Sequence, residues 1–528
     1  MMEAEIFINQ IGYRPQDKKT VFVSGKELDK AFISNGTTTF AICDAASGKE
    51  VFSAALVPAP DDKESGGGYF TGDFSGLSEP GKYYVTVANK KSFEFKVTQK
   101  PYNEVFLSTL KYFTDSRCGQ GVCHTGVAEV YGTGEKKNVQ GGWHDAGDYG
   151  RYIVAGTKTV MDMLLGYKKN PDVFADFDLL AEVRFELEWM LQMQREDGAV
   201  YHKISCYHFC AFIMPQDEKD TLVLAPVSTS ATADFAGCLA YAAGFYKESD
   251  PAFAEKLLQA ALKAQNYLFS HDDEFYINPP EITTGGYGDR DVRDERYFAL
   301  CSLFAATGDE NYLNHAIKIR DEKKKEEPEP QRPWSGGWQE GFGWPFVSGY
   351  GTEILLEQAD KLSAEFLQEI KDGIISQAEK YLATSNESAF KYCSKYVMWG
   401  SNGAICDLAH VMMMAYDFTG RKDLLAAAKS QIDYILGCNP LNYCYITCAG
   451  SKSPVKPHHR PSGASGKVYP GMLAGGPCGG LFDAYAKEHL AGQPALKCYI
   501  DEVPSYSTNE VAIYWNSSFV YLLSRFLA

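Results

Sequence analysis

The sequence lacks any excess of basic residues: 51 Lys and Arg stand against 68 Asp and Glu, a formal net charge of −17 over 528 residues. Nucleic-acid binding draws on clustered Lys and Arg that release counterions from phosphates, so this balance argues against a nucleic acid partner. No run approaches the ~18 apolar residues of a bilayer span, so no membrane segment is expected. The opening Met1-Met2-Glu3-Ala4-Glu5-Ile6 lacks the basic start and the apolar stretch of about 7–15 residues that a secretory signal needs. As written, the expected location is cytoplasmic, or secreted if a signal has been removed. Cysteine is not scarce, but its 14 copies are scattered singly. That is how free thiols are used in a reducing compartment, and no disulfide framework is expected.

What is present is ordinary globular chemistry, 45% apolar and 23% charged, enough to fold without staples. Aromatic side chains make up 13% of the chain, including 33 Tyr and 7 Trp. Most of these must fill core, but their flat apolar faces also suit a neutral ligand with apolar faces of its own.

From Glu5 to about Lys100 the pattern is short and period two, as in Thr20-Val21-Phe22-Val23 and Lys82-Tyr83-Tyr84-Val85-Thr86-Val87, punctuated by Gly66-Gly67-Gly68 and Pro80-Gly81. About seven short strands in about 100 residues predict an immunoglobulin-like β-sandwich over residues 1–100. After Lys100-Pro101 the period becomes 3.6, and residues 101–528 read as helices: 151–167, 178–195, 229–246, 252–268, 291–306, 364–382, 404–418, 424–436 and 509–527, about a dozen with shorter candidates. Similar turns recur at Asp250, Asp309 and Arg421, separated by 59 and 112 residues. A helical-hairpin repeat of about 56 residues gives an (α/α)6 barrel if it closes and a solenoid if it stays open. Long loops at 115–150, 197–228, 321–350 and 438–480 carry much of the Gly, Trp and His. They favour a barrel with a functional face at one end.

Three constellations carry chemistry. Gln140-Gly141-Gly142-Trp143-His144-Asp145-Ala146-Gly147-Asp148 places two carboxylates three apart on a flexible loop, where one can accept a proton from a water that the other orients. The alternative is a helix cap with a turn. Glu510 lies between Tyr506 and Trp515 at the start of an apolar helix. Partial desolvation there would keep it protonated as an acid, and the alternative is a first-turn Glu on the helix dipole. Pro457-His458-His459-Arg460 offers donors for hydroxyls or a carboxylate, against a solvated basic turn.

Together these resemble family 9 of the glycoside hydrolases, the cellulase family built on an (α/α)6 barrel, over about 425 residues. Tyr499, Asp501, Tyr506, Glu510, Ala512, Asn516 and Ser517 meet its C-terminal pattern. Thr447, Gly450, Lys452, Pro457, His458 and Arg460 meet its His-x-Arg pattern, with Cys444 where Ser, Thr or Val is usual. Asn9-Gln10-Ile11-Gly12-Tyr13 and Phe212-Ile213-Met214-Pro215 are similar to the subgroup with an immunoglobulin-like N-terminal domain. The resemblance implies an inverting β-1,4-glucan hydrolase, endo-acting on cellulose-type glucans or cello-oligosaccharides. Glu510 would be the acid, Asp148 the base and Asp145 a second carboxylate on the water, with the two sides about 6.5–9.5 Å apart. His458, Arg460 and Tyr506 would bind sugar, and Trp399 would be a stacking platform. Trp143 is a weaker platform candidate on the loops, as are Trp338 and Trp344, and core packing is the alternative for each.

Cys118, Cys123, His124 and His144 supply two thiolates and two imidazoles, a set that suits tetrahedral zinc; unrelated free thiols are the alternative. Similar members of the subgroup carry a structural zinc, which would brace the carboxylate loop. Calcium is also common in the family, with Asp289, Asp291 and Asp294 as candidate ligands or else a solvated acidic turn. The rival activities are an exo-acting cellodextrinase or β-glucosaminidase of the same family, and, from another class, a non-catalytic carbohydrate-binding protein.

Overall fold

The computed structural model describes residues 5–25, 38–88, 90–119, 126–326 and 341–527. The period-two runs form β1 Glu5–Phe7, β2 Gly12–Tyr13, β3 Thr20–Ser24, β4 Thr38–Asp44, β5 Glu50–Pro58, β6 Tyr69–Asp73, β7 Gly81–Val87 and β8 Lys90–Val97. Alternation buries one face, as in β7, where Tyr83, Val85 and Val87 are buried and the residues between them are not. The strand order is β1-β3-β6-β5-β4-β7-β8-β2. Strand β5 pairs antiparallel with β4 along most of its length and with β6 at its end. It therefore serves two layers, which enclose Ile6, Val21, Phe40, Ile42 and Val85. The result is the immunoglobulin-like sandwich.

The helical part comprises α1 Asn103–Asp115, α2 Ile153–Lys169, α3 Leu179–Gln192, α4 Thr229–Tyr246, α5 Pro251–Ser270, α6 Arg293–Thr307, α7 Glu310–Glu326, α8 Ser348–Glu357, α9 Ala364–Glu387, α10 Ser401–Thr419 and α11 Lys422–Ile435. The short α12 Arg460–Ser465, α13 Ala484–Leu490 and α14 Tyr506–Asn509 follow, and α15 Ile513–Ser524 ends the chain. Six helices (α2, α4, α6, α8, α10 and α15) are buried along nearly their whole length and form an inner ring. Its members touch in the sequence α10, α15, α2, α4, α6, α8. His410 of α10 closes the ring by donating to Glu353 of α8 at 2.7 Å. The outer helices α1, α3, α5, α7, α9 and α11 cover it, giving the (α/α)6 barrel.

The recurrent turns join inner to outer helices. Asp250 caps α5 by accepting from the Phe253 N–H at 3.1 Å, and Gly308 ends α6 with φ 74°. Because the hairpins close on themselves, the open solenoid is ruled out. Among the described residues no helix is long and apolar enough to cross a membrane, and the 13 described cysteines are free thiols.

Two features depart from the sequence reading. The loops 115–150 and 197–228, together with the first two residues of the predicted helix 151–167, contain a second sheet: β9 Val127–Val130, β10 Lys136–Asn138, β11 Arg151–Tyr152, β12 Lys203–Cys206 and β13 Leu222–Leu224, ordered β10-β9-β13-β12-β11. The predicted helix over 509–527 is interrupted, because residues 510–512 are extended between α14 and α15. Glu510 has ψ 159° and bridges His458, while Val511 bridges Ala474. Tertiary hydrogen bonds to neighbouring loops here outweigh helical propensity.

The N-terminal Asn9-Gln10 segment joins the two parts. Asn9 Nδ2 donates to Asp433 of α11 at 2.7 Å, and the Gln10 N–H donates to the Leu436 carbonyl at 2.9 Å.

Candidate active site

The loop 140–150 is fixed by its backbone. The Cys118 N–H donates to Gly142 O and the His144 N–H to Ser116 O, both at 2.8 Å, and the Ile513 N–H donates to Asp145 O at 2.7 Å. Gly147, between the two aspartates, is required by close approach: a Cβ there would lie 2.3 Å from the His458 carbonyl oxygen. Arg460 donates to Gly147 O from both its backbone N–H, at 3.0 Å, and Nη1, at 2.9 Å. The His458 N–H donates to Asn509 O at 2.9 Å, and the Gly475 N–H to Glu510 O at 2.7 Å. These bonds hold Glu510 against the aspartate loop.

Asp145, Asp148 and Glu510 line one cleft of about 430 Å³, with Tyr287, Trp344 and Trp399 among its walls. Burial first, then the charges of Asp148 and Asp145, push the Glu510 carboxyl well above the usual range; Arg460 and the Gly147 N–H pull the other way. Asp145 is raised by burial and then by Asp148, against the hydrogen bond from the Tyr287 hydroxyl (2.5 Å). Among the described residues, Asp145 Oδ1 is buried without a hydrogen-bond partner, an acceptor for a water in the cleft. Asp148 Oδ2 accepts from the Gly150 N–H at 3.1 Å and from Tyr152 Oη at 3.4 Å. The arrangement offers a held proton on Glu510 and, across the cleft, Asp148 placed to take one from a water that Asp145 orients.

Trp399 is 43% exposed on the cleft wall, 5.3 Å from the ring of Tyr506. His458 donates from Nδ1 to Val503 O at 2.6 Å, which fixes its tautomer and leaves Nε2 as the acceptor. Arg460 is buried, and its Nε is used on Cys210 O at 2.9 Å as well as Nη1 on Gly147. Trp344 lines the cleft, and Trp338 lies outside the described residues.

Trp143 does not reach the cleft, which corrects the stacking expectation. The Arg117–Trp143 bridge turns it inward, its indole N–H donates to Glu182 at 2.9 Å, and its ring packs on Phe113. The cleft is also lined by residues that sequence reasoning missed: Tyr287, Tyr152 and Tyr514. Only Gly285-Gly286-Tyr287-Gly288, a glycine-flanked aromatic, carried a signal.

Of the zinc candidates, the strand bridge sets Cys118 beside the 142–144 segment that carries His144. Cys123 and His124 lie outside the described residues. Among the described residues no three His, Cys, Asp or Glu side chains form a ready metal cage. The calcium candidates are not a solvated turn. Asp291 is engaged by Arg293 and Lys323 at 2.7 and 2.8 Å. Asp294 is buried, and with Asp289, Glu295 and Asp234 of α4 it forms an acidic cluster at the first turn of α6 in which burial and mutual repulsion raise Asp234, Asp294 and Glu295.

Comparison with known proteins gives the family. Residues 102–523 match glycosyl hydrolase family 9, and residues 2–92 match the cellulase N-terminal ig-like domain. The chain belongs to glycosyl hydrolase family 9 and is a glycoside hydrolase. It is 32% identical to a cellodextrinase of Butyrivibrio fibrisolvens, over 99% of this chain and 100% of that protein. It is 30% identical to endoglucanase D of Acetivibrio thermocellus, over 99% and 84% respectively. A solved single-mutant thermostable endoglucanase of Alicyclobacillus acidocaldarius superimposes with a TM-score of 0.90 at 32% identity, covering 99% of each chain.

Proposed function

We propose that the chain hydrolyses β-1,4-glucosidic bonds of cellulose-type glucans or cello-oligosaccharides with inversion at the anomeric carbon. The observation that carries the reading is the gathering of Glu510, Asp145 and Asp148 at one aromatic-walled cleft. Glu510 protonates the leaving oxygen. Asp148 takes a proton from the attacking water, and Asp145 orients that water through its unpartnered oxygen. Trp399 and Tyr506 offer ring faces to the sugar, whose equatorial hydroxyls project sideways, and His458 presents Nε2 beside them. Arg460 acts by holding the aspartate loop.

The test compares products from cellohexaose, a soluble polymeric glucan and chitosan oligomers, with the first-formed anomer read by NMR. Inverted anomer and internal cleavage of the polymer are expected. Retained configuration would overturn the mechanism, and absence of cleavage would leave a carbohydrate-binding protein. Cellobiose or glucose released only from chain ends would make the enzyme exo-acting, a reading favoured by the whole-length similarity to a protein named cellodextrinase.

A structural zinc would be held by Cys118, Cys123, His124 and His144, bracing the loop that leads into Asp145 and taking no part in proton transfer. The donor set and the pairing of the Cys118 and His144 segments support it. About one zinc per chain is expected by elemental analysis of protein purified without chelator, and none would dispose of the assignment.

A further inference from the structure

Lys203 has no part in the chemistry outlined so far, yet it is fully buried in β12 directly beneath the carboxylate loop. Its partner in the ladder is Tyr152 of β11, the residue whose hydroxyl reaches Asp148. The ammonium lies 5.5 Å from the Tyr152 ring centre and 6.0 Å from that of Tyr276. Its hydrogen bonds go to Thr284 Oγ1 at 2.9 Å, Gly285 O at 2.5 Å and, more weakly, Thr284 O at 3.4 Å. The adjacent His202 donates from Nε2 to Gly286 O at 2.9 Å. Three successive carbonyls are thus gripped by two adjacent residues, His202 and Lys203, and the next residue is Tyr287, which donates to Asp145. Tyr287 stands at φ 50°, a left-handed backbone that a bulky residue adopts only when its neighbours impose it.

A buried ammonium normally faces a carboxylate. Four groups face this one: Tyr152 from β11, Tyr276 from the segment after α5, His202 just before β12 and Asp148 from the carboxylate loop. His202 is held neutral by burial and by Lys203 itself, with its pKa lowered to about 3. Among the described residues, Asp148 is the acid whose charge acts on Lys203.

We propose that Lys203 is a positioning residue for the hydrolysis: it clamps the 284 and 285 carbonyls, next to the 286 carbonyl held by His202, so that Tyr287 meets Asp145. The inference rests on the catalytic reading above. Burial lowers the Lys203 pKa to about 7, so the clamp carries its full charge on the acid side of neutrality.

Lys203→Met and Lys203→Arg are compared with wild type in kcat and KM on cellohexaose across pH, alongside Asp148→Asn. In Lys203→Met, kcat should fall about 10–100-fold with KM little changed. Lys203→Arg should also lose kcat with KM little changed, since its larger fork displaces the loop. Wild-type kcat in Lys203→Met would overturn the proposal. If that variant does not fold, wild-type kcat in Lys203→Arg would do so. Activity retained in Asp148→Asn would instead overturn the catalytic reading, and loss there beside an unaffected Lys203→Met would sink this inference alone.

Discussion

A carboxyl that must deliver a proton near neutrality needs its charged form penalised, and Glu510 meets this through burial and the two aspartates across the cleft. Its folded pKa is raised, so the acid is protonated below that value and activity should decline as pH rises through it. Glu510→Gln keeps the shape and loses the proton. Turnover on cellohexaose should drop about 10²–10⁴-fold, while its affinity by calorimetry stays unchanged; wild-type turnover would remove Glu510 from the role. Trp399 is a different case, an exposed ring that contributes contact and no proton. Trp399→Ala should weaken cellohexaose binding by about 1 kcal/mol, roughly fivefold, and leave the melting temperature in place. Both residues were legible in sequence because a short pattern places them. The inward turn of Trp143 and the use of Arg460 on two backbone carbonyls were not, because their partners, Glu182, Cys210 and Gly147, are distant in the chain or carry no side-chain signal.

At the scale of elements, helices with strong periodicity and a capping residue were readable. Helix α4 spans the predicted 229–246, with the Ser228 hydroxyl accepting from the Ala231 N–H at 3.1 Å. The break at Glu510 was not readable, since the apolar pattern runs through it and only the His458 and Ala474 bridges draw it straight. Short α14, which leads into that break, depends on Asp483. Oδ2 of Asp483 accepts from the Ser507 N–H at 3.0 Å and from the Ser507 and Ser505 hydroxyls, while Oδ1 caps α13 at the Ala486 N–H, 2.6 Å away. Replacing the carboxylate by an amide puts an NH2 where an acceptor is needed and leaves a buried donor unmet. Asp483→Asn should therefore cost about 1–3 kcal/mol in urea denaturation. It should also lower kcat more than it raises KM, because Glu510 begins where α14 ends. An unchanged denaturation midpoint would show that this brace is not needed.

Over the whole molecule, the sandwich and the barrel were separable in sequence by the change of period near residue 100, but what joins them was not. Phe390, in the loop after α9, inserts among Phe7, Phe22 and Tyr69 of the sandwich with ring centres 5.4, 5.0 and 4.7 Å away. Lys429 and Asp433 of α11, paired at 2.6 Å, take up Asn9 beside it. An aromatic plug of this kind couples the stability of the two parts, because either part unfolding alone would expose the plug and its socket to water. The wild-type chain should melt in one calorimetric transition. Truncation of a buried Phe removes contacts and leaves a void, together about 3–5 kcal/mol, here lost from the joint and not from the cleft, which Phe390 does not line. Phe390→Ala should split the transition in two, with the sandwich melting first, and leave cellohexaose turnover near wild type at temperatures below both. A single, unshifted transition in that variant would mean that the joint is held elsewhere, by the Asn9 and Gln10 contacts to α11 and the turn that follows it.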